Sequence, residues 1–327
     1  MFYTPGSRLP AVTMLRGLAA LGVCLMHFAG TLESDIIQNI ARFGGYGVQV
    51  FFVISGFILP YSMEKDQYAL KHYGRFLLKR IIRLDPPYIL TIIGIVALSY
   101  IAQLSPYNTS STIEVTNENG ALHFFYLVDI FGGTWLNPVF WTLAIEFQFY
   151  LLIGLVFPLF QKKNTFLLFM LFTVACLLPI FLNDDRFVSD HLLLFVPGIL
   201  LFCYVTEKVT LNKFFVLTGL VLTAGFIKSG IAGVICPVIS IGFILLVKTS
   251  FRPLMFLGTI SYSLYLIHTP VGTDALINFF QNLITDPTNR IWLAIAVLPV
   301  TIGAAWVFHV LIEKPVIRWS RAVKYPV

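Results

Sequence analysis

The first residues that could do chemistry lie in an apolar segment near the amino terminus, LRGLAALGVCLMHF (15–28). It holds two polar, ionisable side chains, Arg16 and His27, eleven positions apart. On an α-helix eleven residues make about three turns and rise about 16 Å, so both side chains share one face at different levels. Imidazole titrates near neutral pH and often serves as a general base. The spacing therefore predicts a cation at one level of a helix and a base at another.

A carboxylate approaches from a second apolar segment, NPVFWTLAIEFQFY (137–150). If Pro138 opens this helix at the outer surface, Glu146 lies about 12 Å below that surface. Counted from Arg16, His27 lies about 16 Å up a hydrocarbon core that is about 30 Å thick. We therefore expect both groups near mid-membrane, where Glu146 would orient the imidazole for general-base catalysis. A purely structural hydrogen bond between the helices is the alternative.

Two arginines occur in KRIIRLDPPY (79–88), and their spacing of three residues places them on one helical face. Asp85 is predicted to cap, and Pro86 to open, the next helix. Its N-terminus would attract anions beside Arg80 and Arg83. The place suits a phosphate ligand at the cytoplasmic surface. Ordinary anchoring of a membrane protein by positive charge is the alternative.

Two further motifs carry hydroxyl and imidazole groups. Ser55 in FFVISGF (51–57) could be an intramembrane serine nucleophile, but Val53 stands where rhomboid-type proteases have glycine, so close helix packing is favoured. SYSLYLIH (261–268) either lines an entrance for a polar substrate or packs inside the protein. His309 and Glu313 are predicted to be structural. The spacing of the histidines predicts no metal site.

The elements that position these residues must be membrane helices. Of 327 residues 57% are hydrophobic and 12% charged, against about 25% charged in soluble domains. The predicted fold class is all-α: a polytopic membrane protein with about ten transmembrane helices, forming one domain over residues 1–327 without a soluble domain. Spans of about 20 apolar residues are predicted at 12–31, 45–62, 86–103, 138–160, 164–182, 189–204, 211–227, 230–247, 253–273 and 290–312. The sixth and seventh are the short ones.

The distribution of positive charge predicts the orientation in the membrane. Seventeen of the 22 Lys and Arg residues fall at the termini and in alternate loops, four fall on the opposite side, and Arg16 lies inside the first span. By the positive-inside rule both termini are cytoplasmic. Anchoring in membrane lipids accounts for most of the net charge of +6, so no nucleic-acid partner is expected.

Taken in order, these motifs resemble the integral-membrane acyltransferase 3 family. The landmarks are Arg16-x10-His27, the 51–57 motif, Arg80-x2-Arg83, Trp141 to Tyr150, the 261–268 motif and Glu313-Lys314-Pro315. The family includes O-acetyltransferases of bacterial surface polysaccharides and of nodulation-type glycolipids, and the chain is expected to be of the stand-alone type. Thr142 stands where many members have Ser. Asp85 stands where many have a neutral residue, and it would weaken phosphate binding if it faced the arginines.

The resemblance implies a multi-pass protein of the bacterial inner membrane. It would move an acyl group, most often acetyl, from cytoplasmic acyl-CoA (acetyl-CoA) to a hydroxyl of a cell-surface or lipid-linked glycan. Essential roles carry over to Arg16, His27, Arg80 and Arg83. The predicted site comprises the catalytic residues His27, Glu146 and Arg16; the donor-binding residues Arg80, Arg83 and Arg16; and the substrate-binding residues Ser55, Tyr150, Tyr265 and His268, with no metal.

An alternative from another class is a membrane transporter that exports a glycan or a small acid without acyl transfer. Polar residues inside a membrane bundle also mark substrate pathways. Inverted repeats would favour a transporter, and none is visible in the sequence. In the enzyme, the slender pantetheine arm would span the rise of about 16 Å from Arg16 to His27. His27 would then either deprotonate the acceptor hydroxyl or carry the acyl group itself.

Replacement of His27 by Ala is expected to abolish acetyl transfer, whereas Arg83→Ala is expected mainly to weaken donor binding. The measurement is transfer of label from acetyl-CoA to crude envelope glycan by the purified protein. Normal transfer by the His27 variant would reject the mechanism. Transport of glycan without transfer of label would support the exporter.

Overall fold

The structure is a computed structural model that describes residues 9–104, 116–161, 165–281, 283–284 and 286–325. Arg8, Lys162 and Lys163, which entered the charge count, lie outside these ranges. The described residues form helices and no strand. The α-helices are α1 (Pro10–Ala29), α2 (Asp35–Ala41), α3 (Tyr46–Lys65), α4 (Tyr73–Gln103), α5 (Asn117–Phe124), α6 (Trp141–Gln161), α7 (Thr165–Phe181), α8 (Val188–Val205), α9 (Leu211–Ser229), α10 (Ala232–Leu246), α11 (Arg252–Thr259), α12 (Ser261–Ile267), α13 (Asn278–Gln281), α14 (Pro287–Phe308) and α15 (Lys314–Ala322). Two π-helical turns, His268–Ile277 and His309–Glu313, interrupt the regular helices near the C-terminus.

The all-helical prediction is confirmed, and the chain is a multi-pass membrane protein. Seven helical stretches among the described residues are long and apolar enough to cross a membrane: Pro10–Ala29, Asp35–Lys65, Leu70–Gln103, Pro138–Gln161, Val188–Val205, Leu211–Ser229 and Pro287–Ala322. Arg252–Thr259 and Ser261–Phe280, bent by 58°, form an eighth candidate, and Leu167–Phe181 and Ala232–Leu246 are shorter apolar helices.

These segments fall on the ten predicted spans, but their lengths differ from the expectation. The fifth and eighth spans are the short ones, and the sixth and seventh are long enough to cross. That all ten segments cross the membrane, and that both termini are cytoplasmic, remain predictions.

The predicted helix start at Asp85 and Pro86 is wrong. Helix α4 continues through both residues, with Pro86 and Pro87 in its interior. Proline removes a backbone hydrogen bond and usually breaks a helix, but in membrane bundles neighbouring side chains can satisfy the exposed carbonyl groups. The carbonyl oxygens that lose their partners to Pro86 and Pro87 are those of Ile82 and Arg83. The hydroxyl of Tyr262 donates to the neighbouring carbonyl oxygen of Leu84 at 2.9 Å.

The continuous helix changes the setting of the two arginines. Helix α4 begins at Tyr73, so its N-terminus precedes Arg80 by seven residues, and both Arg80 and Arg83 project from within the helix. Asp85 accepts a hydrogen bond from the hydroxyl of Tyr126 at 2.9 Å. None of the ion pairs among the described residues joins Asp85 to Arg80 or Arg83. The possible weakening of phosphate binding by Asp85 therefore finds no support in its contacts.

Glycine residues bring α3 and α8 into backbone contact. A Cβ atom on Gly56 would lie 2.0 Å from the carbonyl oxygen of Phe195, and one on Gly198 would lie 2.1 Å from that of Val53. Small residues allow such approach in lipid, where helix association depends largely on packing. The close packing predicted for the 51–57 motif is thus confirmed. It fixes the position of Ser55, the neighbour of Gly56.

Helix α1 is held against α11 in the same way. A Cβ atom on Gly258 would lie 1.8 Å from the carbonyl oxygen of Thr13, and one on Gly17 would lie 2.7 Å from the amide nitrogen of Gly258. Arg16 precedes Gly17 in the chain. The contact therefore sets Arg16 at a fixed level beside the bent segment 252–280.

The segment before α6 is organised by a buried histidine, His123. Its Nδ1 lies 2.8 Å from the carbonyl oxygen of Asn119 and so carries the proton, while Nε2 accepts from the amide of Leu136 at 3.0 Å. Burial lowers the pKa of His123, which favours the neutral ring that this pair of bonds requires. The next residue, Asn137, accepts from the amide of Val139 and opens the helical segment that carries Glu146.

The glycine contact between α3 and α8 yields a stability prediction. Gly198→Ala places a methyl group against backbone atoms that cannot move aside, so we expect a loss of about 1–3 kcal/mol in the free energy of unfolding. The matched control is Gly94→Ala on α4, where a Cβ atom meets nothing within 4 Å. Thermal unfolding of the purified protein in detergent measures both. Equal effects of the two substitutions would contradict the contact.

Candidate functional site

A cavity with several charged and hydroxyl side chains in a mainly apolar wall opens between α1, α3, α4, α6 and α12. It contains about 850 Å³ of unoccupied space, with open solvent at its mouth included. Seven of the nine predicted site residues line it: Arg16, Ser55, Arg80, Arg83, Glu146, Tyr150 and Tyr265. His27 and His268 do not. Helix packing thus brings together residues from five distant motifs.

Three guanidinium groups face this cavity, and none of them forms an ion pair with another described residue. Arg80 is the most enclosed: its Nη2 donates to Ser62 at 3.1 Å, while its buried Nε has no partner within the described part of the chain. The rings of Phe76 and Tyr150 lie 5.2 and 5.8 Å from the Arg80 guanidinium carbon, within cation–π range. The lining therefore holds positive charge that its own residues leave unpaired.

Glu146 is the carboxylate of the cavity. Its Oε1 accepts hydrogen bonds from the hydroxyl groups of Ser55 at 2.9 Å and Tyr150 at 2.7 Å. Its charge also acts on the guanidinium of Arg16. No contact described for Glu146 reaches His27, so the structure does not bring together the carboxylate and imidazole that were expected to pair. The observed contacts instead join Glu146 to two hydroxyl groups of the cavity that the three arginines also line.

His27 occupies the last turn of α1, which ends at Ala29. It therefore lies near the end of the helix, and its expected level near mid-membrane remains a prediction. Arg16, from which that level was counted, lies six residues inside α1, or about 9 Å from its start. The half-buried His27 ring packs against the ring of His268, with centroids 5.1 Å apart and planes inclined by 58°.

Tyr265 stands between the cavity and the two histidines. Its ring lies 5.9 Å from the ring of His268 and 5.8 Å from that of Phe51, another lining residue. Its hydroxyl is 2.7 Å from Oγ1 of Thr142 and 3.2 Å from the carbonyl oxygen of Val139. Thr142 thus supplies the hydroxyl that serine would supply at this position. His268 itself is fully buried, so it does not line an open entrance.

The sequence analysis missed the connecting role of Asn137. This buried amide donates to the carbonyl oxygen of Leu266 at 3.2 Å and accepts from the hydroxyl of Thr269 at 2.8 Å. It therefore ties the segment around His268 to the start of α6. The Asn-Pro pair signals a helix start, but no local pattern reveals the partners on the distant segment.

Glu313 has more neighbours than its predicted structural role required. Its Oε2 accepts from the hydroxyl of Ser263 at 2.6 Å and lies 2.8 Å from Nδ1 of His309, with which it forms a buried pair. His309 and Glu313 are thus in contact, and their structural role remains a prediction. The Glu313 charge also acts on Arg16. Arg16 accordingly has carboxylate neighbours on two different helical segments, Glu146 and Glu313.

Comparison with known proteins supports an enzymatic site. A family model described as an acyltransferase domain matches residues 9–310. ORF330 of Acidianus two-tailed virus, whose name proposes acetyltransferase activity, is 28% identical over 195 residues, 60% of this chain and 55% of its own. The acyltransferase MdmB of Streptomyces mycarofaciens is 29% identical over 163 residues, 47% of this chain and 41% of its own.

A third relative is similar over a larger part of this chain. The O-acetyltransferase OatA of Staphylococcus aureus (strain NCTC 8325 / PS 47) is 26% identical over 317 residues, which cover 80% of this chain and 50% of OatA. The chain spans about half the length of the curated relatives it matches. No solved structure matches it significantly.

Ser55→Ala tests how the Ser55 hydroxyl acts. Loss of one of the two donors to Glu146 removes a hydrogen bond to a charged group, worth about 1.5–3 kcal/mol, so we expect activity to fall about 10- to 100-fold without vanishing. A serine nucleophile would instead lose all turnover. Ser240→Ala on α10 is the control, since this buried hydroxyl donates to the carbonyl oxygen of Cys236 and does not line the cavity. Acetyl transfer by both variants is the measurement.

Proposed function

The chain belongs to the acyltransferase 3 family, and from that membership we propose which donor it uses and which acceptor it modifies. The protein is a membrane acyltransferase. We propose that it moves an acyl group, acetyl foremost, from cytoplasmic acyl-CoA to a hydroxyl of a cell-surface or lipid-linked glycan. Its proposed location is the bacterial inner membrane, with the termini in the cytoplasm. The exporter without chemistry, considered from the sequence, has no comparable support.

The observation that carries the donor assignment is the unpaired positive charge of the cavity. Arg16, Arg80 and Arg83 contribute three charges, and their two carboxylate neighbours offset two of these at most. Burying unpaired charge in an apolar bundle is costly, so such a site favours an anionic ligand. Guanidinium groups bind phosphate through paired, charge-assisted hydrogen bonds. The phosphates of CoA have the required chemistry.

The proposed site of chemistry is His27, beyond the cavity. The pantetheine arm extends from the arginines along α1, over a rise of about 16 Å between Arg16 and His27. Because Tyr265 stands between the cavity and the histidines, its ring must turn aside for the thioester to reach His27. The half-buried imidazole near the end of α1 leaves the acceptor glycan an approach from the opposite side of the membrane.

Two routes for His27 remain open in this proposal. In the first, it takes the proton of the acceptor hydroxyl as the oxygen attacks the thioester carbonyl; the carbon–oxygen bond forms, the carbon–sulfur bond breaks, and the departing thiolate receives the proton. In the second, His27 carries the acyl group briefly before the hydroxyl attacks. In both routes Glu146, which lines the same cavity, helps to set Arg16 for the donor. Enclosure protects the thioester from water.

The donor site is tested by binding of CoA to the purified protein, measured by calorimetry. Arg16→Gln, Arg80→Gln and Arg83→Gln should each weaken binding about 10- to 100-fold, because each removes charge-assisted hydrogen bonds worth about 1.5–3 kcal/mol. Arg83→Lys keeps the charge but loses the paired geometry, and it should lie between wild type and Arg83→Gln.

The matched control is Arg318→Gln on α15, which removes an exposed positive charge outside the cavity and should leave CoA binding unchanged. Pantetheine, which lacks the nucleotide phosphates, should bind wild type and cavity variants equally. Unchanged CoA affinity in all three cavity variants would disprove the proposed donor site.

A further inference from the structure

The Nε2 atom of His268, a buried nitrogen near His27, has no role in the function proposed above. His268 is fully buried, and its Nε2 makes no hydrogen bond within the described residues. A buried polar atom without a partner forgoes its hydration and costs about 1–3 kcal/mol, so such atoms are rare in folded proteins. Unexplained cases frequently have a functional reason. The Nε2 atom is therefore the strongest remaining signal in this region.

The protonation of the His268 ring follows from its other nitrogen. Nδ1 lies 2.9 Å from the carbonyl oxygen of Tyr265 and 3.1 Å from that of Leu264. A carbonyl oxygen can only accept, so Nδ1 carries the proton. In the neutral ring, Nε2 then bears the lone pair and can only accept a hydrogen bond. His268 thus presents a bare acceptor, held at the far end of the ring from its own backbone.

The side chain that packs on this ring is His27, at a centroid distance of 5.1 Å. No other described contact of His27 involves a polar side chain, and Glu146 is engaged with Ser55 and Tyr150. We propose that His268 is a positioning residue for His27: its Nε2 accepts an N–H of the His27 ring during the reaction and leaves the other His27 nitrogen bare toward the acceptor hydroxyl. This inference rests on the proposed function, which gives His27 the role of base.

The His27–His268 pair can take up and return the proton of the acceptor hydroxyl without any further side chain. When the acceptor hydroxyl gives its proton to the bare nitrogen of His27, the ring becomes an imidazolium ion. Its second N–H then points at Nε2 of His268, and this charge-assisted hydrogen bond stabilises the ion. The thiolate that leaves the thioester takes the proton from His27 and restores the neutral pair. In hydrolytic triads a carboxylate orients the base, whereas here a neutral imidazole would do so.

The local fold holds His268 in the required orientation. A π-helical turn begins at His268, and such turns occur frequently at functional sites. The next residue, Thr269, donates to Asn137, which also binds the carbonyl oxygen of Leu266. The His268 ring is therefore held by carbonyl groups of its own helix, and the residues before and after it are held by Asn137 at the start of α6. His27 is only half-buried and is the member of the pair free to turn.

Two variants separate the tasks of the two His268 nitrogens. His268→Asn keeps a donor near the backbone carbonyl groups but removes the far acceptor, whereas His268→Gln can place an amide oxygen near the position of Nε2. We expect His268→Asn to lower kcat about 10- to 100-fold, as for partners that orient functional histidines, with the KM for the donor unchanged. His268→Gln should restore part of that loss. A purely structural role would not produce this difference at constant KM and constant thermal stability.

A second readout uses the protein without donor. Diethyl pyrocarbonate acylates neutral imidazole nitrogen, and peptide mass spectrometry gives its rate at His27, with His191 on α8 as internal reference. Modification of His27 should be slower in His268→Asn than in wild type and faster again in His268→Gln. Unchanged His27 reactivity and unchanged kcat in His268→Asn would overturn the inference. If wild type transfers no acyl group, the proposed function fails, while the modification rates still test the histidine pair.

Discussion

The structure depends on keeping three guanidinium groups inside an apolar helical bundle. An unpaired charge in such surroundings is expensive, and hydrophobic packing alone cannot offset it. Partial compensation comes from aromatic faces beside Arg80 and from Glu146 and Glu313 near Arg16. The compensation is incomplete because none of the ion pairs among the described residues involves Arg16, Arg80 or Arg83. The remaining positive charge is what an anionic donor would neutralise on binding.

The surrounding helices are built to hold this cluster at fixed distances. Backbone contacts at Gly56, Gly198 and Gly258 set the levels of α3, α8 and α1, and therefore of Ser55 and Arg16. Helix α4 continues through two prolines and presents both of its arginines to one cavity. Because contacting backbones resist sliding, Ser55 and Arg16 are held at fixed levels of their helices. Such preorganisation reduces the cost of ordering the site when the donor binds.

The site has two separate parts, and this division suits a reaction between substrates from opposite sides of a membrane. The arginine cavity and the histidine pair lie at different levels of α1, with Tyr265 between them. A permanent open path from one to the other would admit water to a thioester. A single aromatic side chain at the boundary can instead exclude water until both substrates are bound. Family membership identifies the class of reaction, and the proposed division of that reaction between two parts is compatible with this geometry.

The sequence alone determined the helical fold class, the membrane setting, the apolar segments and the charged residues of the cavity, because composition and motif spacing are local properties. It misjudged the start of α4, since Asp-Pro-Pro commonly marks a helix boundary, whereas in the folded protein α4 continues through both prolines. It also paired Glu146 with His27 from estimated depths. Only tertiary packing decided that Glu146 joins Ser55 and Tyr150 while His27 meets His268, because depth along a helix does not specify which neighbour a side chain faces.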